Sequence, residues 1–419
     1  MFTSHNSHVR MKWLLVPAVL LINSAFAQVE TDYTQYKLLA DDGAGKDFFG
    51  FDVAIDGNTA LVGAFKADHP SGAADVGAAY VYARTQQGWQ PQAKLMTADG
   101  LAGDSFGGRV ALSGHVAAIG AIGHGAVGPD AGAVYVFNRA GSSWKQQAKL
   151  LATDGAAGDA FGQSLAIAGD TLVIGAPHDD VHGESSGSVY LFNRVAGSWQ
   201  QHMKLTAPDG AAGDVFGISL DLDGDTLLIG ADLHDAQAMD AGAAYVFVRD
   251  VDTWRLQDKL MADDGGQTDL FGVRVALSGD TALISARRDD DERMGVDAGS
   301  AYVFVRQGDQ WQQQAKLTAP DGAADDRFGQ AVAIEGDQAV ISAMHQDDLG
   351  ANSGAVYVYV HQQGVWQFQS KHTASDGAAG DLFGWAVSMS GQGWLVGATR
   401  HDQAGQESGA AYLFETVTQ

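Results

Sequence analysis

The chain has no cysteine among its 419 residues. That one absence excludes disulfides, thiolate metal sites, cysteine nucleophiles and a lipid-anchored cysteine. Positive charge is scarce: 25 Lys and Arg stand against 51 Asp and Glu, a formal net charge of −26. Nucleic acid or an anionic membrane would repel such a chain, so neither is an expected partner. Beyond residue 27 no apolar run approaches the length a membrane-spanning helix needs. The acidity is not that of a disordered segment, because 46% of the residues are hydrophobic. What is abundant is glycine. Its 54 residues show no three-residue period, which points to many turns rather than a collagen-like rod.

Residues 1–27 read as an export signal. Arg10 and Lys12 form a basic start, Trp13 to Ile22 an apolar run, and Ala25-Phe26-Ala27 a cleavage site. About ten apolar residues are too few to cross a bilayer. Cleavage removes two basic residues and no acids, so the mature chain sits near −28, from 23 against 51. The expected product is periplasmic or secreted, and residues 28–419 are expected to form one monomeric domain.

Internal repetition decides the fold. The dipeptide Phe-Gly recurs with its glycine at Gly50, Gly107, Gly162, Gly217, Gly272, Gly329 and Gly384, in steps of 55 or 57 residues. Trp89, Trp144, Trp199, Trp254, Trp311 and Trp366 keep the same time, each leading into a Lys-Leu-like pair such as Lys94-Leu95. Each unit holds four short apolar runs; in the third copy they are Gln163 to Ala168, Thr171 to Ala176, Ser188 to Asn193 and Trp199 to Leu205. Val, Ile, Leu, Tyr and Phe fill the runs and Gly, Asp and Ser separate them, which is strand-and-turn grammar. Gly169-Asp170 is short enough for a tight hairpin. Four antiparallel strands in each of seven units predict an all-β, seven-bladed β-propeller. A β-solenoid is the alternative.

The ends favour a closed ring. The seventh unit lacks a tryptophan strand, while an orphan strand, Tyr33 to Leu39, precedes the first Asp-Gly loop and carries Lys37-Leu38. Pairing it with the third strand of unit seven completes that blade and leaves no long free edge.

With Phe161-Gly162 and Gly175-Ala176-Pro177 the sequence resembles the FG-GAP repeat of the integrin alpha-subunit propeller, and its phrasing is similar to the bacterial secreted branch. The resemblance spans residues 31–419 and implies a propeller used for binding or adhesion. Integrin-type blades carry a D-x-D-x-D-G calcium loop between the first two strands; here that link shrinks to forms such as Ser278-Gly279-Asp280. Only Asp221, Asp223 and Asp225 keep a cluster, so the family's calcium site does not carry over.

Strand polarity predicts that the second-to-third loops and the blade-to-blade loops share one face, here called the upper face. Together they hold 35 of the 51 carboxylates. Every blade-to-blade loop reads D-G-x-x-x-D-x-F-G. One reading is a capped turn, with Asp accepting backbone N–H groups and Gly at positive φ. The other is hard-cation binding, for which Ca²⁺ is the ion and Asp99/Asp104, Asp154/Asp159, Asp209/Asp214 and Asp376/Asp381 are the candidate pairs. Second-to-third loops supply ligand-binding candidates: His178, Asp179, Asp180, His234, Asp235, Asp289, Asp290, Asp291, Asp347 and Asp348. No tight multi-His spacing marks a zinc or copper site. Gly183 to Gly187 matches G-x-S-x-G, but a nucleophile elbow needs a strand-to-helix turn, which a propeller loop does not provide. The tryptophans are expected to pack between blades rather than stack on sugars.

The functional expectation is a non-enzymatic binding or adhesion propeller, exported by a bacterium, recognising protein or glycan through upper loops. Its rivals are a hydrolase or lyase at the mouth of the central channel and a structural surface or matrix component. Fold alone does not choose among them.

Overall fold

Residues 32–391 and 393–417 are described by a computed structural model of the chain. The proposed export signal lies outside the described residues. Twenty-eight strands form seven four-stranded antiparallel sheets, and the described residues contain no helix. In six blades the strands run from channel to rim in chain order. Blade three, for example, is Ser164–Ala168, Thr171–Ala176, Ser188–Val195 and Ser198–Leu205. Its two-residue Gly169-Asp170 link pairs Ala168 with Thr171 and places Gly169 at φ 58°, as expected of a tight hairpin.

Blade seven is assembled from both ends of the chain. Phe383–Ser390, Gly393–Ala398 and Ala410–Thr416 supply three strands, and Tyr33–Leu38 supplies the outermost. Tyr36 pairs with Leu413 and Leu38 with Ala411. The closing strand thus ends one residue before the expected Leu39. The ring is closed.

Burial follows from this stacking. Second strands such as Thr171–Ala176 are buried along their whole length, because each sheet is covered on both faces by its neighbours. Outer strands such as Ser198–Leu205 alternate between buried and exposed residues. Trp144, Trp311 and Trp366 donate their indole N–H to Gln92, Gln257 and Gln314 on the preceding blade's outer strand, at 2.9 to 3.1 Å. The tryptophans therefore seal blade against blade.

The Phe-Gly dipeptide is explained by the same contacts. Its phenylalanine packs edge-on against the third-strand tyrosine of its blade, with centroids 5.4 to 5.6 Å apart from Phe49–Tyr80 to Phe383–Tyr412. Its backbone N–H bonds to the preceding blade's second-to-third loop; Phe106 donates to Val76 O at 2.9 Å, and Phe49 closes the ring on Ser408 O at 3.0 Å. The glycine lies against the second strand of the preceding blade. A Cβ on Gly63 would fall 2.0 Å from the Gly107 carbonyl oxygen. At five of the seven junctions adjacent blades meet glycine on glycine.

Candidate functional site

The upper loops are built from one device used seven times. The first Asp of each D-G-x-x-x-D motif accepts a hydrogen bond from the third-strand tyrosine and an ion-paired bond from the fourth-strand lysine. In blade two Tyr135 and Lys149 reach Asp99 at 3.0 and 2.7 Å; in blade three Tyr190 and Lys204 reach Asp154 at the same distances. Blade four repeats this with Tyr245, Lys259 and Asp209. In blade seven Tyr412 and the N-terminal strand's Lys37 both reach Asp376 at 2.6 Å. Each lysine also lies over its tyrosine ring, 5.0 to 5.6 Å from the centroid. Lys37 does in blade seven what Lys149 does in blade two.

The second Asp has a separate task. Asp104, Asp159, Asp214 and Asp381 accept the backbone N–H of the residue three places earlier, at 2.7 to 2.9 Å. Burial pushes both kinds of carboxyl upward in pKa. For the first kind the lysine and tyrosine bonds outweigh it, and Asp99, Asp154, Asp209 and Asp376 sit below the usual carboxylate range. At Asp47, Asp159, Asp269, Asp326 and Asp381, of the second kind, burial prevails over the backbone bond. Asp159 and Asp381 are raised, and Asp269, also beside Asp289 and Asp290, reaches about 6. The two carboxyls of one motif are committed to different partners.

One detail of the turn reading is corrected. The D-G glycine is not at positive φ; that conformation falls later, at residues such as Gly103 (87°) and Ser105 (58°). Crowding bears on this glycine in four of the seven copies, Gly100, Gly265, Gly322 and Gly377. A Cβ on Gly100 would meet Thr97 Oγ1 of its own turn at 2.4 Å and Val76 Cγ1 of the preceding blade at 2.5 Å, and one on Gly377 would meet Leu349 Cδ1 at 2.9 Å.

The second-to-third loops lie beside these motifs, on the same face, as the strand polarity predicts. His178 is exposed. Asp180, Asp235, Asp290 and Asp347 are exposed too, and each accepts a backbone N–H of its own loop at 2.8 to 2.9 Å. Asp291 caps Arg293 and Met294 in the same way, and Asp348 pairs with Lys371 at 2.5 Å. Asp179, His234 and Asp289 are instead buried against the tyrosine–lysine pair. Asp179 meets Tyr190 and Lys204 at 2.8 Å, Asp289 meets Lys316 at 2.7 Å, and His234 joins Asp214 and Lys259 at 2.8 and 2.6 Å. His124 and His401 hold the equivalent place in blades two and seven. Even the Asp221, Asp223 and Asp225 cluster disperses, to Leu277 N–H, Gly279 N–H and Arg249.

Among the described residues no three His, Asp or Glu side chains are arranged to hold a metal ion. The geometry favours turn capping, and a measurement separates the two readings. A site with a Kd one hundredth of the calcium concentration would add about 2.7 kcal/mol to stability. We expect millimolar calcium and ionic-strength-matched sodium to give the same Tm. A calcium-specific rise that disappears in Asp154→Asn/Asp159→Asn would establish the cation reading instead.

A region that the periodic reading passed over lies on the axis. The first strands of all seven blades line a channel cavity of about 340 Å³. Two places after Phe-Gly, four blades present Ser164, Ser219, Ala331 and Ala386, whereas blade one presents Asp52 and blades two and five present Arg109 and Arg274. Phe51 and Trp385 form an aromatic wall on one side, ring centroids 5.4 Å apart, and Phe65 packs on Phe51 at 4.2 Å. Asp232 and Arg287 follow the second strands of blades four and five. Burial raises Asp232 to about 6 despite Arg287 and Arg274. Here the sevenfold pattern is broken by charge.

Comparison with known proteins agrees with the architecture. The profile of the FG-GAP repeat matches seven segments: 34–82, 89–137, 144–192, 199–247, 254–304, 311–359 and 366–414. Each segment starts on an outermost strand, so the first takes in the N-terminal one. Among solved structures, Saccharomyces cerevisiae Sqt1 is similar at 12% identity and a TM-score of 0.49, over 90% of this chain and 98% of that one. A chain of the mitotic checkpoint complex is similar at 11% identity and a TM-score of 0.53, over 99% of this chain and 100% of that one. At such identities the likeness concerns the fold alone. No curated protein matches the chain.

Proposed function

Because the chain belongs to the FG-GAP repeat family, whose propeller fold is consistent with binding or adhesion, we propose that it is an exported, non-catalytic module that holds a protein or glycan on its upper face. One observation carries this reading. Seven tyrosine–aspartate–lysine triads hold the upper loops rigidly, while the loop tips differ from blade to blade. Val181, Met239 and Val296 stand out at those tips, 49, 54 and 65% exposed, amid carboxylates that cap their own loops. Rigid loops with varied tips suit a macromolecular ligand, since little ordering entropy is lost on binding.

Export is supported by the basic, apolar and small-residue segments of residues 1–27. A mature N-terminus at Gln28 would be its direct sign. For binding, the mature protein is presented to a glycan array and to intact cell surfaces, beside a variant carrying Val181→Ser, Met239→Ser and Val296→Ser. We expect the variant to lose at least about tenfold in affinity, the scale of a few truncated contacts at 1.4 kcal/mol per decade, with an unchanged Tm. Full binding by the variant would place the ligand away from the upper tips and overturn the reading.

A further inference from the structure

We propose that the central channel binds a small organic oxyanion between Arg109 and Arg274, with the ring of the ligand against Phe51 and Trp385. This site is independent of the upper tips. Blades two and five stand on opposite sides of a seven-membered ring, so the two arginines enter the same cavity from facing walls. Neither guanidinium has a carboxylate oxygen within 4 Å. Arg109 spends Nε on Gln163 O at 2.8 Å and Nη1 on Gly108 O at 2.7 Å; Arg274 spends Nη1 on Val273 O at 2.8 Å. Of five N–H groups on each, Arg109 keeps three unspent and Arg274 four.

The charges feel one another. Burial, followed by the positive charges of Arg109 and Arg287, pulls Arg274 down to about 10. Arg287 adds a third guanidinium, bonded to Gln330 Oε1 at 3.1 Å, with its Nε buried and unpartnered. The carboxylates lining the cavity are Asp52 and Asp221, and Asp232 lies near Arg287 and Arg274. Asp52 Oδ2 accepts the Val110 N–H at 2.8 Å, Asp221 accepts the Leu222 and Leu277 N–H groups at 2.8 Å each, and among the described residues Asp232 makes no ion pair within 4 Å. Ser164 and Ser219 turn their hydroxyls to Gly217 O and Gly272 O, so they offer the channel no spare donor. Two arginines in a chain of net charge −26 thus line one confined space with two carboxylates, and Arg287 and Asp232 stand close enough to act on the charge of Arg274.

Unpaired guanidinium groups in a confined, weakly screened space are unfavourable. An oxyanion between them removes the repulsion and takes the remaining N–H groups in forked pairs, a geometry that carboxylate and sulfate match. The aromatic wall selects what carries the anion. Arg109 already lies 5.4 Å over the Phe51 ring, and Trp385 extends that surface. A ring with an apolar face fits beside it, and about 340 Å³ admits one such ring. An acidic monosaccharide has this chemistry, whether free or as the terminal unit of a glycan.

Calorimetry and thermal melts of the mature protein with glucuronate, glucose and sulfate at matched ionic strength test the site. Glucuronate is expected to bind with a submillimolar Kd and to raise the Tm, and glucose is expected to do neither. Arg274→Gln and Arg109→Gln should each weaken glucuronate at least tenfold, while Arg255→Gln on the outer rim leaves it unchanged. Without added oxyanion, Arg274→Gln should melt no lower than the parent, because it relieves repulsion. A variant that melts several degrees lower without ligand would make Arg274 a structural strut and overturn the proposal. So would equal binding of glucose, unaltered binding by both glutamine variants, or no glucuronate binding by the folded protein. A short uronate oligomer separates the two sources: tighter binding than the monomer indicates a glycan terminus, and exclusion of the oligomer indicates a free acid.

Discussion

Deleting residues 32–39 is expected to destabilise the whole ring by about 5 kcal/mol, the sum of three side chains at 1.5 to 3 kcal/mol each. Those side chains are Leu38, only 3% exposed, and Tyr33 and Tyr36, which pack on the cores of blades seven and one. The deletion also removes Lys37, and with it the partner of Asp376 and a contact to Gln403. It leaves Ala410–Thr416 as a bare edge strand, which is a template for pairing with another chain. Loss of stability, association through that edge, or both should follow. Urea denaturation with light scattering reads the two effects. Lys37→Ala separates the ion pair from the strand; as a half-exposed pair it should cost about 1 kcal/mol or less. A truncated protein that unfolds at the parental urea concentration and stays monomeric would sink the closure argument.

The ring was legible because its cause is periodic. Phe161, Gly162 and Trp199 recur wherever one blade touches the next, so their spacing reports the number of blades directly. Closure was legible for the same reason, since Lys37 carries the lysine signature of a fourth strand in a place where no blade precedes it. The D-G glycine was misread as a matter of φ. Local turn chemistry supplies that explanation, but what crowds a Cβ on Gly100 is the Thr97 hydroxyl of its own turn together with Val76, in the preceding blade and 24 positions earlier. Asp179, His234 and Asp289 looked like free loop residues because a polar side chain in a loop usually faces water. Here the loops of adjoining blades enclose them. Arg109 and Arg274 escaped notice because a repeat-based reading averages over copies. Laying the seven copies side by side at the second place after Phe-Gly, and asking which blades depart from serine or alanine, would have found them.

The glycine-on-glycine contact between blades allows space and backbone strain to be weighed separately. Gly63 has ordinary strand geometry, so Gly63→Ala adds only a methyl group, placed 2.0 Å from the Gly107 carbonyl oxygen. Backbone must move, and overpacking of this kind costs about 1–3 kcal/mol. Gly107→Ala adds a methyl group 2.3 Å from Ala78 O and also forces alanine to φ 89°. Roughly 1–2 kcal/mol of strain is then added to the packing term. Gly57 supplies the control: its φ is 53°, yet nothing lies within 4 Å of a Cβ there. Gly57→Ala should cost about 1 kcal/mol, the strain alone. The expected order of destabilisation is therefore Gly107→Ala, then Gly63→Ala, then Gly57→Ala. Because the first two substitutions open the same contact, their pair should cost less than the sum. Blades five and six show how the ring accommodates a larger group, with Ser285 and Ser342 in the place of Gly63; a Cβ on Gly329 would meet Ser285 Cβ at 2.8 Å as well as the Ser300 carbonyl oxygen at 2.7 Å. Equal losses for Gly107→Ala and Gly57→Ala would show that the blades are not close-packed at Phe-Gly and that the dipeptide is kept for its turn alone.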